Sequence, residues 1–345
     1  MAEPVGSGTQ CLERAKLGLE WLLEQQSLDG SWKPLKEQTF DVFYRAAWTL
    51  TTMGARAAAE RSLDYVKKHL MTPEGDFVPR AGAWHNHVHY PYASAILLLG
   101  AQQMARYEVT APGMRFLLTQ QDPASGGFYM QKAAPGERKP MNSKSTSMAG
   151  LACLACGEMD AARRAGDWLS RLIELQPAPG EKFYTTTRAD GSLRTDFAPE
   201  ETRWHMVDMK TMESQCWYAL GLPFAFAVQL AEATGEQRYA DLTRSLFEIQ
   251  TSCGAPWDGS SSGKGAWACS MMYRITGEKA YRQIALHTAG NFVVRQTPEG
   301  WFKGWFYVEP KPGEPRVNAQ VFETSIEFVL WLGLIGENLL ARDAD

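Results

Sequence analysis

The chain has 345 residues, of which 45% are hydrophobic and 21% charged, and its formal net charge is -4. This composition is typical of a globular protein with a large core and excludes a disordered chain. Because the phosphate backbone of a nucleic acid attracts positively charged surfaces, the negative balance argues against a nucleic-acid partner.

Targeting and membrane segments are not predicted. The first ten residues hold neither a basic stretch nor an apolar one, so we expect a cytoplasmic protein without a secretory signal. The longest weakly polar run, residues 214–231, contains Gln215 and Pro223 and predicts a buried core helix rather than a transmembrane segment. The six cysteines are predicted to be reduced thiols.

One pattern recurs along the chain: an aromatic helix residue, then Gln or a turn, then Gly before a second aromatic. The first copy is Trp21, Gln25, Gly30 and Trp32. Five further copies are anchored by Tyr65, Phe116, Trp168, Phe247 and Phe292. Each copy is long enough for a helix pair with its loops. The repeats predict an all-α fold, an (α/α)6 toroid in a single domain of residues 11–341, between flexible termini at 1–10 and 342–345.

Two sets of helices alternate in this prediction. One set is amphipathic, as Glu13, Lys16 and Glu20 on the first helix show, and predicts an outer ring. The other set is nearly free of charge and predicts a buried inner ring. Its helices are expected near residues 40–52, 87–104, 145–156, 209–233, 264–276 and 318–339.

The connections between the two sets differ in length. Turns from inner to outer helices are short, as in Thr234-Gly235-Glu236, where Gly can end a helix in the left-handed conformation. Connections from outer to inner helices are long, and they are predicted at residues 31–39, 73–86, 123–144, 177–208, 253–263 and 300–317. Long loops gathered at one end of a rigid scaffold predict the functional face.

The segment Trp21-Leu-Leu-Glu-Gln25 with Gly30-Ser-Trp32 resembles the QW repeats of the terpenoid cyclase and protein prenyltransferase toroids. The Thr-Gly-Glu-x-x-Tyr turns at 234–239 and 276–281 are similar to those of six-hairpin glycosidases and sugar epimerases. Both resemblances cover nearly the whole chain and imply the same (α/α)6 barrel.

The familiar catalytic motifs of these toroids are missing from the sequence. There is no Asp-x-Asp-Asp acid motif, no Asp-Asp-x-x-Asp magnesium motif and no convincing Asp-x-Cys zinc motif. We therefore expect an enzyme without a metal or other cofactor.

Three histidines, His85, His87 and His89, lie in one segment just before an inner helix. In an extended stretch alternate side chains share a face, so the imidazoles would be able to converge on a metal. Acid–base work and structural hydrogen bonding are the alternatives. We assign His85 and His87 as acid–base candidates, with no metal.

A second candidate cluster is His205, Asp208 and Glu213, at the entry to the most apolar inner helix. His205 and Asp208 are three residues apart, so they would pair in the first turn of a helix. A histidine oriented by a carboxylate is a suitable general acid or base. The alternative is that Asp208 caps the helix and His205 lies on the surface.

Aromatic and acidic residues predicted at the same end complete the candidate site. Aromatic rings would line an apolar pocket or stack on sugars, and buried carboxyl groups can act as acids near neutral pH. The predicted substrate-binding residues are Trp84, Tyr92, Tyr44, Trp204, Trp257, Asp258, Trp305, Tyr307 and Glu323. The run Gly259–Gly265 looks like a phosphate loop but lacks the Walker spacing.

These features predict first a metal-independent cyclase or isomerase, of the pericyclase or Diels-Alder type among others, in natural-product biosynthesis. It would fold a hydrophobic terpenoid or polyketide-like small molecule in the central cavity and thereby lower the entropic part of the barrier. A glycosidase or sugar epimerase is the alternative, and a noncatalytic toroid that binds a small molecule or protein is the third. A monomer or a homodimer is expected.

Overall fold

The computed structural model describes residues 5–80, 88–177, 180–304, 307–309 and 317–343. Within these ranges the chain forms thirteen α-helices and four short strands. Six helices make an outer ring: α1 (Gly8–Gln25), α3 (Arg56–His69), α5 (Tyr107–Leu118), α7 (Met159–Glu174), α10 (Gln237–Thr251) and α12 (Lys279–Val293). Six make an inner ring: α2 (Ala46–Thr52), α4 (Tyr90–Gln103), α6 (Ser143–Ala155), α9 (Tyr218–Thr234), α11 (Gly263–Thr276) and α13 (Ala319–Asp343).

The inner ring is closed. Each inner helix packs against the next along the chain, and α13 returns to pack against α2. On the outside, α1 packs against α13, so the first and last helix pairs share an interface. The (α/α)6 toroid predicted from the repeats is confirmed.

The two rings differ in burial as their sequences predict. Every residue from Tyr90 to Ala101 of α4 is buried, as is every residue from Tyr218 to Val228 of α9. Outer helices bury a single stripe, and in α7 that stripe includes Ala162, Trp168 and Leu169. An amphipathic helix stabilises the ring by covering an apolar inner neighbour.

The repeated glutamine joins successive outer helices. Gln26, one residue beyond the predicted Gln25, donates to the carbonyl of Ala58 on α3 at 3.0 Å. Gln121 donates to Ala161 on α7 at 2.9 Å, and Gln296 donates to Arg14 on α1 at 2.9 Å. The last of these bonds closes the outer ring, so the repeat has a structural role.

The glycine after it is required by conformation and by space. Gly30 and Gly300 have φ of 90° and 103°, in the left-handed region that favours glycine. A Cβ at Gly300 would lie 2.4 Å from the carbonyl oxygen of Leu17 on α1. These glycines let each loop approach the backbone of the neighbouring outer helix.

The insertion before α9 departs from the predicted structure. A short helix, α8 (Pro199–His205), is followed by β4 (Met206–Asp208), which pairs antiparallel with β2 (Lys182–Tyr184). A second pair joins β1 (Met141–Asn142) to β3 (Thr186–Thr187). The predicted inner helix from 209 was wrong at its start, because residues 209–217 form bends and irregular structure after the strand and α9 begins only at Tyr218.

The ends of the ring differ slightly from the predicted bounds. Helix α1 begins at Gly8, where the Ser7 hydroxyl accepts from the Gln10 amide as a helix cap, so residues 8–10 belong to the ring. Helix α13 continues to Asp343. By length and composition α13 is the one described helix apolar enough to cross a membrane, but most of its apolar window is buried within the ring.

Candidate active site

A polar cavity of about 170 Å³ lies on the axis of the ring. Among the described residues, charged and aromatic side chains meet there from all six inner helices or from the residues just before them. Its lining includes Arg45, Tyr92, Lys144, Tyr218, Ser260, Ser261, Lys264, Gln320, Thr324, Glu327 and Phe328.

The cavity is at the end of the ring where the inner helices begin. Lys144 and Lys264 are each the second residue of their helices, α6 and α11, and Tyr218 is the first residue of α9. Arg45 directly precedes α2. The long connections enter the inner helices at this end, so the predicted functional face coincides with the cavity.

Glu327 on α13 is the centre of an ion-pair network. Its Oε2 lies 2.9 Å from a guanidinium nitrogen of Arg45, and its Oε1 accepts from Lys264 and, at 3.0 Å, from the indole of Trp331. Burial alone would raise the pKa of Glu327, but Arg45 and Lys264 outweigh it and lower the pKa to about 2. Glu327 is therefore ionised at neutral pH, with both oxygens bound.

Lys144 lies between two tyrosine rings. Its ammonium nitrogen is 4.0 Å from the centre of the Tyr92 ring and 4.2 Å from that of Tyr218. Burial lowers the pKa of Lys144 well below the ordinary value, and repulsion from Lys264 and Arg45 lowers it further. The faces of the two tyrosine rings favour the charged form of Lys144, whereas the neighbouring cations disfavour it.

Glu323 lies one turn before Glu327 on the same side of α13. Burial raises the pKa of Glu323 to about 7; Arg45 opposes this effect, and the carboxylates of Asp41 and Glu327 add to it. Two carboxyl groups one helical turn apart thus differ widely in pKa: Glu327 is ionised at neutral pH, whereas Glu323 populates both forms. Such a separation of pKa values is characteristic of acid–base sites.

Three tryptophans close the ring axis next to the cavity. Trp48, Trp267 and Trp331 follow Arg45, Lys264 and Glu327 by one helical turn, and their ring centres are 5.6 to 5.9 Å apart. Packing of this kind stabilises the centre of the ring next to the cavity.

Of the predicted site residues, Tyr92 lines this cavity, and Tyr44 and Glu323 lie beside it without belonging to its lining. The Tyr92 hydroxyl accepts from Arg45 at 3.4 Å. The guanidinium of Arg45 lies 4.4 Å from the centre of the Tyr44 ring. Glu323 is near enough to Arg45 and Lys144 for both to affect its pKa.

The predicted pairing of His205 with Asp208 was wrong. His205 ends α8, is buried, and bonds through Nδ1 to the Thr186 hydroxyl at 2.8 Å, with its ring stacked on Phe197. Burial lowers its pKa to about 4, with a contribution from Arg194, so His205 is uncharged at neutral pH. The two residues share no helical turn because Asp208 ends a strand.

Asp208 and Glu213 have local roles. The Asp208 carboxylate accepts from the backbone amide of Lys210 at 3.0 Å, and Glu213 is exposed to solvent before α9. Neither residue lines the axial cavity. The helix-cap alternative for Asp208 was wrong as well, because no helix begins there.

The remaining described candidates lie away from the lining. Asp258 is exposed and bonds to His287 and Asn291 on α12. Trp257 is half-buried, and its carbonyl accepts from Thr288. Trp204 lies under the guanidinium of Arg203 at 4.2 Å, and Tyr307 packs on Trp301 at 5.6 Å.

Four predicted residues, Trp84, His85, His87 and Trp305, lie outside the described residues. The third histidine of their segment, His89, is buried, and its Nδ1 is 3.3 Å from the amide nitrogen of Asn142. Its ring meets that of Tyr218 edge to face at 5.9 Å. His89 thus lies behind two tyrosines of the cavity.

The charged residues of the cavity were missed by sequence reasoning. Arg45, Lys144 and Lys264 are isolated charges at or just before the start of nearly uncharged helices, and Glu327 lies in the apolar middle of α13. A lone charge in a helix that must be buried predicts a functional or paired group, and this signal would have found them. Lys264 was noted only as part of a run resembling a phosphate loop.

Larger depressions lie outside the axis. One of about 790 Å³ borders α5 and includes Phe116 and Lys132, and one of about 440 Å³ lies between the ends of α7 and α10. Neither one brings together buried cations and carboxyl groups as the axial cavity does, so the axial cavity is the stronger candidate among the described residues.

Solved structures with the same fold are found across nearly the whole chain. A GH76 alpha-mannanase of Bacteroides thetaiotaomicron is 13% identical, with a TM-score of 0.64 over 95% of this chain and 96% of that one. A D-mannose isomerase is 11% identical, with a TM-score of 0.67 over 95% and 99%. A possible GH105 family member from Salmonella enterica is 10% identical, with a TM-score of 0.57 over 100% and 97%.

No protein-family model and no curated protein matches the sequence. The structural neighbours share the six-hairpin glycosidase-like fold, so that resemblance is confirmed at the level of the fold. The resemblance to terpenoid cyclase toroids gains no support from them. The mannanase and the mannose isomerase are enzymes, and the third neighbour is a possible member of an enzyme family. These neighbours support the predicted enzyme status but not a cyclase.

Proposed function

We propose that the chain is a carbohydrate-active enzyme, and specifically a sugar isomerase or epimerase that works in the axial cavity by general acid–base chemistry. The observation that carries the proposal is Glu323, a carboxyl group with a pKa of about 7 beside the buried cations of the cavity. The fold neighbours include a D-mannose isomerase and mannanases, which supports a sugar as the substrate.

The character of the cavity favours this proposal over the cyclase prediction. A terpenoid or polyketide chain would need a deep apolar pocket, whereas the described lining is rich in charged and hydroxyl groups. The volume of about 170 Å³ is also below the ~300–1,000 Å³ of pockets for larger ligands. A small polar molecule is the better match.

Isomerisation of an aldose to a ketose moves a proton between two neighbouring carbons. Ionised Glu323 would take the proton from C2, and the resulting enediolate would carry negative charge on oxygen. Arg45 and Lys264 are the fixed positive charges that would stabilise this oxygen. The hydroxyl proton of O2 would pass to O1 within the enediolate, and protonated Glu323 would then return its proton to C1, which leaves the carbonyl at C2. A pKa near 7 suits both steps, because both forms are populated at neutral pH.

Glycoside hydrolysis is the second candidate. It needs two carboxyl groups with different protonation states. Glu327 is a poor partner for Glu323, because Arg45 and Lys264 bind both of its oxygens. Asp41 is buried and close enough to contribute to the raised pKa of Glu323, so Asp41 with Glu323 is the pair that favours this reading.

The experiment is incubation of the protein in D2O with a panel of aldoses, ketoses and short oligosaccharides, followed by NMR. An isomerase or epimerase incorporates deuterium at the carbon that receives the returned proton, and a glycosidase releases new reducing ends. We expect deuterium at C1 of the ketose product, and at C2 of the aldose after the reverse reaction, for one sugar class; both should be lost in Glu323→Gln.

The matched control is Glu20→Gln, on the exposed face of α1 far along the chain from the cavity residues. It changes the same functional group and should leave turnover at the wild-type level. Turnover that survives in Glu323→Gln would refute the role of this carboxyl group, and absence of exchange and of hydrolysis across the panel would refute the enzyme class.

A further inference from the structure

Three consecutive serines precede α11, and their hydroxyl groups are used differently. The Ser261 hydroxyl donates to the carbonyl of Gln215 at 2.8 Å, and the Ser262 hydroxyl donates to the carbonyl of Pro256 at 2.7 Å. These two bonds fix the loop against its surroundings. Ser260, the first of the three, lines the axial cavity and is half-buried. The loop therefore holds Ser260 in a defined place at the cavity wall.

Thr324 lies on the neighbouring wall, because α11 and α13 pack against each other. It lines the cavity, is half-buried, and directly follows Glu323 in α13. Gly304 leaves room beside it: a Cβ at Gly304 would lie 3.1 Å from the Thr324 Oγ1 atom, and its nearest neighbours would all be atoms of Thr324. A glycine at this position thus keeps the space next to the Thr324 hydroxyl open.

The Ser260 and Thr324 hydroxyls differ from the charged groups of the lining. Arg45, Lys264 and Glu327 bind one another. Among the residues that the structure describes, no side chain or backbone group bonds to the hydroxyl of Ser260 or of Thr324, and both line a polar cavity. A hydroxyl group can donate one hydrogen bond and accept others, and the hydroxyl groups of a sugar do the same. The two side chains are therefore matched to a sugar by chemistry and by position.

We propose that Ser260 and Thr324 contact hydroxyl groups of the sugar that take no part in proton transfer, and thereby determine which sugar configuration the cavity accepts. This inference rests on the proposed carbohydrate function and adds its specificity-determining residues. A deoxy sugar, or an epimer whose hydroxyl points away, displaces the water from these groups without replacing its hydrogen bonds. Such a sugar is rejected because polar groups of the site stay unpaired.

The test uses the sugar that the wild-type protein turns over, its monodeoxy derivatives, and its epimers at carbons that do not exchange deuterium. For the wild-type protein we expect kcat/KM to fall about 10-fold or more when the contacted hydroxyl is absent or inverted. Thr324→Val removes the hydroxyl but keeps the shape, and it should lower kcat/KM for the parent sugar about 10-fold. The loss should appear in KM, because a contact to a non-reacting hydroxyl is present before and during the reaction.

The decisive result is the coupling between variant and sugar. On the deoxy sugar that lacks its partner hydroxyl, Thr324→Val should lose nothing further, and Ser260→Ala should behave in the same way on its own matching deoxy sugar. Thr324→Ser, which keeps the hydroxyl, should retain most of the discrimination. The matched control is Thr9→Val, exposed near the start of α1, which should discriminate between the sugars as the wild-type protein does.

Gly304→Ala tests the same contact without removing a hydroxyl. The added methyl group would crowd the Thr324 hydroxyl, so KM for the parent sugar should rise about 3-fold. In the Thr324→Val background the same change should have no further effect, since the contact is already lost.

The outcomes separate this inference from the proposed function. If Thr324→Val and Ser260→Ala lose the same factor on every sugar, their hydroxyls act on the structure of the protein alone and the inference is overturned. It is also overturned if the wild-type protein turns over all deoxy sugars and epimers as fast as the parent sugar. In both cases the proposed function stands as long as turnover is lost in Glu323→Gln. If the wild-type protein turns over no sugar, both proposals fail.

Discussion

Replacement of Glu323 by glutamine should remove activity and, at the same time, stabilise the protein above neutral pH. Glutamine preserves the shape of the protonated carboxyl group but cannot ionise. In the folded protein the pKa of Glu323 is about 7, against an ordinary value of 4.5. The folded state therefore holds this proton more tightly than the unfolded state does.

The sign and size follow from proton linkage. Because the folded pKa is raised, the contribution of the neutral carboxyl group is fully present below pH 4.5 and is lost as the pH rises through 7. At ~1.4 kcal/mol for each pKa unit, ionisation costs about 3 kcal/mol of unfolding free energy. Glu323→Gln avoids this cost, so it should be up to about 3 kcal/mol more stable than wild type at pH 8.

The assay is urea denaturation of both proteins at pH 4 and pH 8. The gain should appear at pH 8 and nearly vanish at pH 4, where the wild-type carboxyl group is protonated in both states. Glu20→Gln, exposed on α1, should show no such pH dependence. A Glu323→Gln variant that is equally or less stable than wild type at pH 8 would refute the buried, proton-holding environment.

Three further predictions concern the rest of the structure. Glu327→Gln should lower the unfolding free energy, measured by denaturation, by about 3–5 kcal/mol, because it leaves two buried cations without a counterion. Lys264→Met in the Glu327→Gln background should recover part of this loss. An unchanged denaturation midpoint in Glu327→Gln would contradict the ion-pair network. Between pH 6.5 and pH 4 the wild-type protein should lose stability, because the lowered pKa of His205, about 4, makes the folded state bind fewer protons than the unfolded state. His205→Gln should lose less stability over this range. Parallel acid-unfolding curves for the two proteins would count against a neutral buried imidazole. Gln296→Ala should cost about 1–3 kcal/mol through the lost bonds to Arg14 of α1 and to Gly300. No change in thermal midpoint would show that this glutamine does not close the ring.

The fold could be predicted because its determinants are local and repeated. The aromatic, glutamine and glycine pattern marks the end of each outer helix, and uncharged sequences mark the inner ring. Gln296, for example, has the same partner type as Gln26, although they lie at opposite ends of the chain. The repeated glutamine therefore lets the sequence predict the contact that closes the toroid.

The site was harder to predict because it depends on contacts between distant residues. Glu327 pairs with Arg45 and Lys264, and no spacing in the sequence indicates that these three meet on the axis. The pairing of His205 with Asp208 assumed a helix where a strand forms, since β4 finds its partner β2 some twenty residues earlier. Tyr92, Tyr44 and Glu323 were proposed because each is an aromatic or acidic residue near the start of an inner helix, and their functional role stays a prediction.

Binding of a sugar in the axial cavity would be seen in a crystal structure of the Glu323→Gln protein soaked with the sugar that the wild-type enzyme turns over. We expect the sugar on the ring axis, within hydrogen-bond distance of residue 323 and of Lys264. Sugar bound instead in a depression between outer helices, with the axial cavity unchanged, would contradict it.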